Sequence, residues 1–332
     1  MIHTLQFYCY TTLEEIRDLE KYYSLSIHEV LLKVEACYEG IKMNLKQLNF
    51  SKEYICYLFV DAIKLLGKAD INQSDYPALE NRLNDLKKSL LFNLDKELVL
   101  LRIDYRLDVV IKDENIRHYL FNLFAKNKEY FKHLKRCEGK KKSIHSVGEK
   151  YQTSLYYNSK SIVAVVYDKP KEREFKHQPL QNHEKNVLRF ELRLHNNHLK
   201  HLKRNHHIEK TLKNYMNEDM YKKYMTNYIL QIFYPGDFYT IRKARTIIQA
   251  SSLKDYDKKD LNNFLIQVSK YGMEPLIKQR HTTSPYGLSR YKLKKILNQL
   301  EALNINPVLI PVNAQIPSHI PNPLKILHSP HK

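Results

Sequence analysis

The stretch Leu98–Val109 constrains the fold more than any other segment, because apolar and charged residues alternate through it. Val99, Leu101, Ile103, Tyr105, Leu107 and Val109 fall on one side of an extended chain, and Arg102, Asp104, Arg106 and Asp108 on the other. Val187–Leu194 repeats the division, with Leu188, Phe190, Leu192 and Leu194 opposite Arg189, Glu191 and Arg193. In Ile162–Lys169, Ile162, Ala164 and Val166 share one face, and Val163, Val165, Tyr167 and Lys169 the other. Such strands predict an α+β fold in which an antiparallel sheet packs its apolar face on helices. Its charged face should then stand open, bearing Asp104, Glu191, Tyr167, Lys169 and several arginines. For one strand, a salt-bridged wet surface is the commoner explanation. Two charged strands, with a third ending in Tyr-Asp-Lys, favour a site.

Further strands are expected at Thr4–Tyr10, Glu29–Ala36, Tyr54–Val60 and Thr153–Asn158. Tyr76–Leu91 reads as a helix, since Leu79, Leu83, Leu86, Leu90 and Leu91 recur at helical spacing. Glu114–Phe131 reads as one or two helices, Arg136–Lys142 as a basic loop, and Pro170–Lys185 as a charged connection without apolar period. Asn196–Tyr234 is helical in pattern, with Tyr215, Tyr221, Tyr224 and Tyr228 set among charges, where packing is the plainer role and base stacking the sharper one. Beyond Pro235, the amphipathic segments Lys258–Tyr271 and Tyr291–Leu303 flank a loop carrying Lys278, Arg280, His281 and Arg290, which suits DNA docking as well as plain helix packing. Asn306–Lys332 holds six of the 12 prolines and reads as extended or disordered.

Charge narrows the partners. Lys and Arg total 55 against 36 acidic residues, a net charge of +19 with histidines neutral, and this excess is spread over most of the chain. Such a field attracts polyanions, and nucleic acid above all. Cys9, Cys37, Cys56 and Cys137 are too scattered for a disulfide framework or a zinc finger, which fits a reducing cytoplasm. No apolar run approaches the ~20 residues that span a bilayer, so no membrane partner is expected. The seven glycines form no nucleotide-binding loop, so any helicase action must come from a partner. Asp104 and Glu191, if brought close, repel each other unless a cation intervenes, and oxygen ligands favour Mg²⁺ or Mn²⁺.

Val166-Tyr167-Asp168-Lys169-Pro170-Lys171-Glu172 reads as Y-x-K-x-x-E at a strand end, and Leu188-Arg189-Phe190-Glu191-Leu192-Arg193 follows. With Arg102-Ile103-Asp104 and Tyr156-Tyr157-Asn158 before them, these segments resemble, in order, the core of the rolling-circle replication initiators of plasmids and phages, filamentous-phage endonucleases included. The resemblance covers about residues 1–200, more weakly the helical part beyond. It implies a DNA nickase and strand transferase in which Tyr167 is the nucleophile, Asp104 and Glu191 hold Mg²⁺ or Mn²⁺, and Lys169 and Glu172 assist. Arg102, Arg189 and Arg193 would neutralise the scissile phosphate. The implied partners are a single-stranded or hairpin DNA origin and the host helicase and polymerase; homodimerisation is left open. On this reading residues 1–195 are the catalytic domain, 196–305 a helical DNA-binding or accessory region, and 306–332 an extended tail.

One departure stands out: the His-hydrophobe-His metal motif of many such nickases is missing. His195, His198 and His201 sit at helical spacing instead, where a hydrated basic face is the simpler reading. Two other classes compete with the nickase. A non-catalytic origin binder or repressor would use the charged faces only to grip phosphate, and a water-using metal nuclease would leave no DNA on the protein.

Overall fold

The computed structural model of the chain describes residues 1–48, 52–126, 130–131, 134–136, 154–273, 276 and 288–327. Cys137, the basic loop beyond Arg136, and the loop cations Lys278, Arg280 and His281 lie outside the described residues. The fold is α+β and forms two compact units. The first comprises Met1–Leu107, Lys160–Val163 and Glu191–Lys223, the second Asp108–Ser159, Ala164–Phe190 and Tyr224–Lys332. They therefore interleave along the chain.

In the first unit, strands β1 (Ile2–Thr12), β2 (Ile41–Gln47), β3 (Glu53–Asp61) and β4 (Val99–Val110, to Leu107 here) pair antiparallel in the order β2-β3-β1-β4. Along β1 the side chains alternate as a half-buried strand should: Leu5, Phe7 and Cys9 are buried, while Gln6, Tyr8 and Tyr10 are not. The β1–β4 register slips between Ile2 and Leu5, a bulge that lets Ile2 and Leu5 both reach the core.

Helices Leu13–Tyr23, Ile27–Cys37 and Tyr76–Ser89 belong to the same unit. Thr12 and Glu15 close a capping box on the first, the Glu15 amide donating to Thr12 Oγ1 at 3.2 Å and the Thr12 amide to Glu15 Oε2 at 2.8 Å. The second corrects the strand expected at Glu29–Ala36. Ser26 and Glu29 cap it in the same way, and Val30, Leu31 and Val34 form a buried helical stripe.

In the second unit the sheet runs β9-β8-β7-β6-β5, from β5 (Tyr130–Phe131), β6 (Leu134–Arg136), β7 (Ser154–Asn158), the Ala164–Asp168 part of β8 (Ile162–Asp168) and the Val187–Phe190 part of β9 (Val187–His195). Its core is aromatic. Phe124, on helix Glu114–Ala125, meets Phe190, Phe233 and Phe238 with centroids 5.6, 4.8 and 5.9 Å away, mostly edge to face. Helices Ile241–Ala250, Asp255–Tyr271 and Arg290–Ala302 follow, the last two joined by Lys295–Asp257 and Lys292–Asp260 ion pairs of 2.6 and 2.9 Å.

The proline-rich segment runs through bends, turns and the short helical turn Pro323–Leu327, and is packed rather than loose. Asn306, Val308, Leu309, Ile310, Ile320 and Leu324 are buried, and β11 (His319–Ile320) pairs with β10 (Phe238–Tyr239). Asp237 holds it: this buried carboxylate accepts from Asn304 Nδ2, His319 Nε2, the Asn322 amide and Lys325 Nζ at 3.0, 2.9, 2.8 and 2.7 Å. Apolar side chains spaced between prolines and one acidic anchor give order without periodicity. Gly236 beside it admits no side chain, since a Cβ would lie 2.3 Å from the Ile305 carbonyl carbon. Among the described residues no helix is long and apolar enough to cross a membrane.

Candidate functional site

Tyr167 is the penultimate residue of β8, and the corner that follows fixes its place. Asp168 ends the strand and caps helix Lys169–Phe175, its Oδ1 accepting from the Lys171 amide at 3.1 Å. Its Oδ2 accepts from Arg117 Nε at 2.6 Å, and Arg117 also donates to the Ile111 carbonyl at 2.9 Å. Both side chains are buried, so the strand, the helix after it and helix Glu114–Ala125 are held at one charged point. Lys169 is thus the first residue of a helix, not the last of a strand as expected. It nonetheless reaches Tyr167, with Nζ 5.8 Å from the centre of the ring.

Lys169 is buried between two carboxylates, at 2.7 Å from Glu172 Oε2 and 3.4 Å from Glu184 Oε1. Burial, then the Arg189 guanidinium, push its ammonium below the usual lysine range against the pull of both acids. Burial also works against the charged form of Glu172, but Lys169 and Lys176 outweigh it and hold the carboxyl low. Glu184 goes further. Burial opposes its charge, yet a two-pronged hydrogen bond from Arg173 at 2.8 and 2.6 Å, with Lys169 behind it, brings the carboxyl down to about 2. Sequence reasoning missed Glu184, Asp168 and Arg117. Asp-Lys-Pro was a readable helix start, whereas nothing local marks a glutamate in a charged connection as buried.

Arg189 is 1% exposed, and its guanidinium is paired with Asp108 at 2.7 and 2.9 Å. It is therefore enclosed where the sequence suggested a group open to phosphate. Tyr157, weighed as a second acceptor, is fully buried against Phe233, and Tyr156 is half-buried. Of the tyrosines in the helical region, Tyr215 and Tyr224 are buried and Tyr221 and Tyr228 half-buried, and the Tyr215 carbonyl accepts from the Tyr105 hydroxyl at 2.8 Å.

Asp104, Glu191, Arg102 and Arg193 come together in the first unit. Arg102 grips Asp104 with two hydrogen bonds of 2.7 and 2.6 Å. Arg193 bridges the acids, at 2.8 Å from Glu191 and 3.9 Å from Asp104. The charged face is thus not an open floor. Asp104 and Glu191 are buried, and only the arginines, with side chains 19% and 26% exposed, reach its edge. Burial raises the Asp104 carboxyl above the ordinary range, the two arginines pulling against it and Glu191 adding to it.

Between the two acids stands a guanidinium, that of Arg193. Both Asp104 oxygens are occupied by Arg102, Glu191 Oε2 is occupied by Arg193, and His3 Nδ1 lies 3.8 Å from Glu191 Oε1. Among the described residues no three His, Cys, Asp or Glu side chains converge as metal ligands. Arranged in this way, the pair does not fit a divalent ion. His198 also departs from the hydrated helix face expected of it. It is half-buried, and burial, then His201, lowers it to about 4.

Comparison with known proteins adds one finding. No curated protein matches the chain. Residues 118–217 match the family model for the N-terminal region of a phage replication-associated protein, a span that includes Tyr167, Lys169, Glu172, Arg189, Glu191 and Arg193 and leaves out Arg102 and Asp104. Over this span, under a third of its length, the chain is similar to that replication-protein family.

Proposed function

We propose that the protein nicks a single-stranded or hairpin DNA origin and stores the 5′ phosphate on Tyr167, so starting rolling-circle replication. The observation that carries this reading is the position of Tyr167 within the matched span, fixed by the Asp168 corner and lying beside the Lys169 ammonium. A phenol with pKa ~10 is a weak nucleophile at neutral pH, and a neighbouring cation favours its phenolate. The phenolate oxygen bonds to phosphorus as the phosphorus–O3′ bond breaks. The phenol proton passes to solvent or a nearby base, and the departing 3′ oxygen takes up a proton to become the hydroxyl that primes a polymerase. One phosphodiester is exchanged for another, so no ATP is consumed and religation remains available.

Tyr167 is 6% exposed, so its oxygen meets a phosphate only once the docking strand uncovers it. Lys169 and Glu172 orient and charge this corner, while Arg102 and Arg193 keep edges that a phosphate can reach. A divalent ion enters this reading only if Arg102 and Arg193 release Asp104 and Glu191, which a Mn²⁺ titration of wild type against Asp104→Asn would detect.

Labelled origin strand is incubated with the full chain, denatured and analysed by mass spectrometry. We expect an adduct on Tyr167, and a loss of at least ~10³-fold in adduct formation for Tyr167→Phe with DNA affinity kept. An adduct on another residue would move the site. Cleavage without adduct would favour the water-using nuclease, and binding without cleavage the origin binder.

A further inference from the structure

A second candidate site lies in the first unit, in a cavity of about 610 Å³ lined by Tyr8, Tyr10, Lys96, Lys200, Lys203 and Lys210, with Cys9, Val99, Glu97 and Glu209 completing the wall. Lys210 is its least ordinary member. It is buried, yet among the described residues its ammonium makes no ion pair; it donates to neutral Asn196 Oδ1 at 2.7 Å and lies 5.5 Å from the centre of the Tyr8 ring. A buried cation without a counter-charge is costly. Burial, then Lys200 and Lys203, push the ammonium below the usual lysine range, with Glu97 a partial offset.

The other cations differ in how far they are neutralised. Lys96 is paired with Glu15 at 2.5 Å and Lys203 with Glu209 at 2.6 Å. Lys200 is exposed and has no ion pair among the described residues. The cavity thus offers two ammonium groups outside ion pairs among the described residues, one buried with Glu97 as a partial offset and one at the surface. Beside them stand two aromatic rings. Tyr8 and Tyr10 meet edge to face at 5.5 Å, and Tyr10 is 55% exposed, leaving a ring face for a flat partner. The volume falls in the ordinary range for small-ligand sites.

We propose that this cavity binds single-stranded DNA, taking a backbone phosphate between Lys200 and Lys210 and an unpaired base on Tyr10. Cations that track a backbone, with aromatic faces for successive bases, are what a single strand needs, and a base inside a duplex has no free face to stack. Tyr8 and Tyr10 lie on the same face of β1 as Gln6, whose register partner on β4 is Arg102. A strand held here therefore lies on the face that carries Arg102 and Asp104. The choice of DNA over RNA rests on the replication-initiator reading; the site itself rests on the lysines and tyrosines.

The test is fluorescence anisotropy of a short labelled oligo(dT) on the full chain carrying Tyr167→Phe, which removes covalent chemistry. Lys200→Gln changes an exposed residue outside any ion pair among the described residues, and Tyr10→Ala removes an exposed ring together with its edge-to-face contact with Tyr8. Each should weaken binding about three- to tenfold, and Lys200→Gln should flatten the log-affinity against log-salt slope by about 0.7. An oligonucleotide bearing 5-iodouracil should photo-cross-link to the peptide holding Tyr8 and Tyr10. Affinity unchanged in the double variant, or cross-links confined to other peptides, overturns the site. Oligo(U) binding more tightly through the same residues overturns the assignment to DNA. An adduct assay run in parallel separates the two proposals: no adduct with pocket-dependent binding intact refutes nicking alone, and a normal adduct without pocket dependence refutes the pocket alone.

Discussion

In the first unit, two buried carboxylates share arginines that reach the surface. In the second, one buried lysine is shared by two carboxylates at the turn from a strand to a helix. Both arrangements relieve repulsion between acids, but they differ in where the cation sits. Arg102 and Arg193 keep side chains 19% and 26% exposed, so water shares the work of solvating them. The Lys169 side chain is 6% exposed, and those of Arg117 and Asp168 next to it 4% and 5%, so protein groups must do nearly all of it. Clusters of similar composition should therefore respond differently when one member is removed.

The largest effect is expected at the corner. Arg117→Met leaves Asp168 buried without its guanidinium, and breaking such a pair should cost about 3–5 kcal/mol, read by urea unfolding. A loss under about 1 kcal/mol would mean that this corner is as wet as the strand cluster. Arg193→Met should cost less, about 1–2 kcal/mol after allowance for its exposure, because water can replace part of what it gives Asp104 and Glu191. If the two variants lose equal stability, the distinction drawn from exposure is broken.

Acid sharpens the contrast further, through melting curves and hydrogen exchange. The Glu184 carboxyl, lowered to about 2, contributes stability that is fully present above the unfolded value of about 4.3 and is lost as pH falls toward 2. Arg173→Met should flatten that limb, an effect of a few degrees in melting temperature. In the first unit His198 is held neutral, at about 4, while its unfolded counterpart titrates near 6.5. The unfolded state then binds the extra proton, so stability falls as pH drops from about 6.5 to about 4, and His198→Gln should remove this loss, which is of similar size. The two units should loosen in separate pH windows; a single shared window would contradict this.

The difference between the clusters also explains what could be read from the sequence. Arg102, Asp104, Arg189, Glu191 and Arg193 were legible because a strand places every second residue on one face, although β4 slips its register against β1 at Leu101, so that Leu100 rather than Leu101 is buried. Lys169 was assigned by the same rule and falls just outside its reach, because Asp168 ends the strand one residue earlier. Glu29–Ala36 shows the converse: an apolar run fits strand and helix alike, and only Ser26 and Glu29 decide it. Burial of the charged face could not be foreseen from alternation, which assigns residues to faces without saying what covers them. Lys210 was also hidden, since the carbonyl of this residue bonds to the Leu100 amide at 2.8 Å across 110 positions of sequence.

Asp237 has a bearing on how the chain is made. Its partners Asn304, His319, Asn322 and Lys325 are all synthesised more than sixty residues after it. A ribosome that stalls before them releases a chain whose acidic anchor has nothing to hold and whose aromatic core lacks its last cover. The segment richest in proline thus closes a charged anchor that is laid down well before it in the chain.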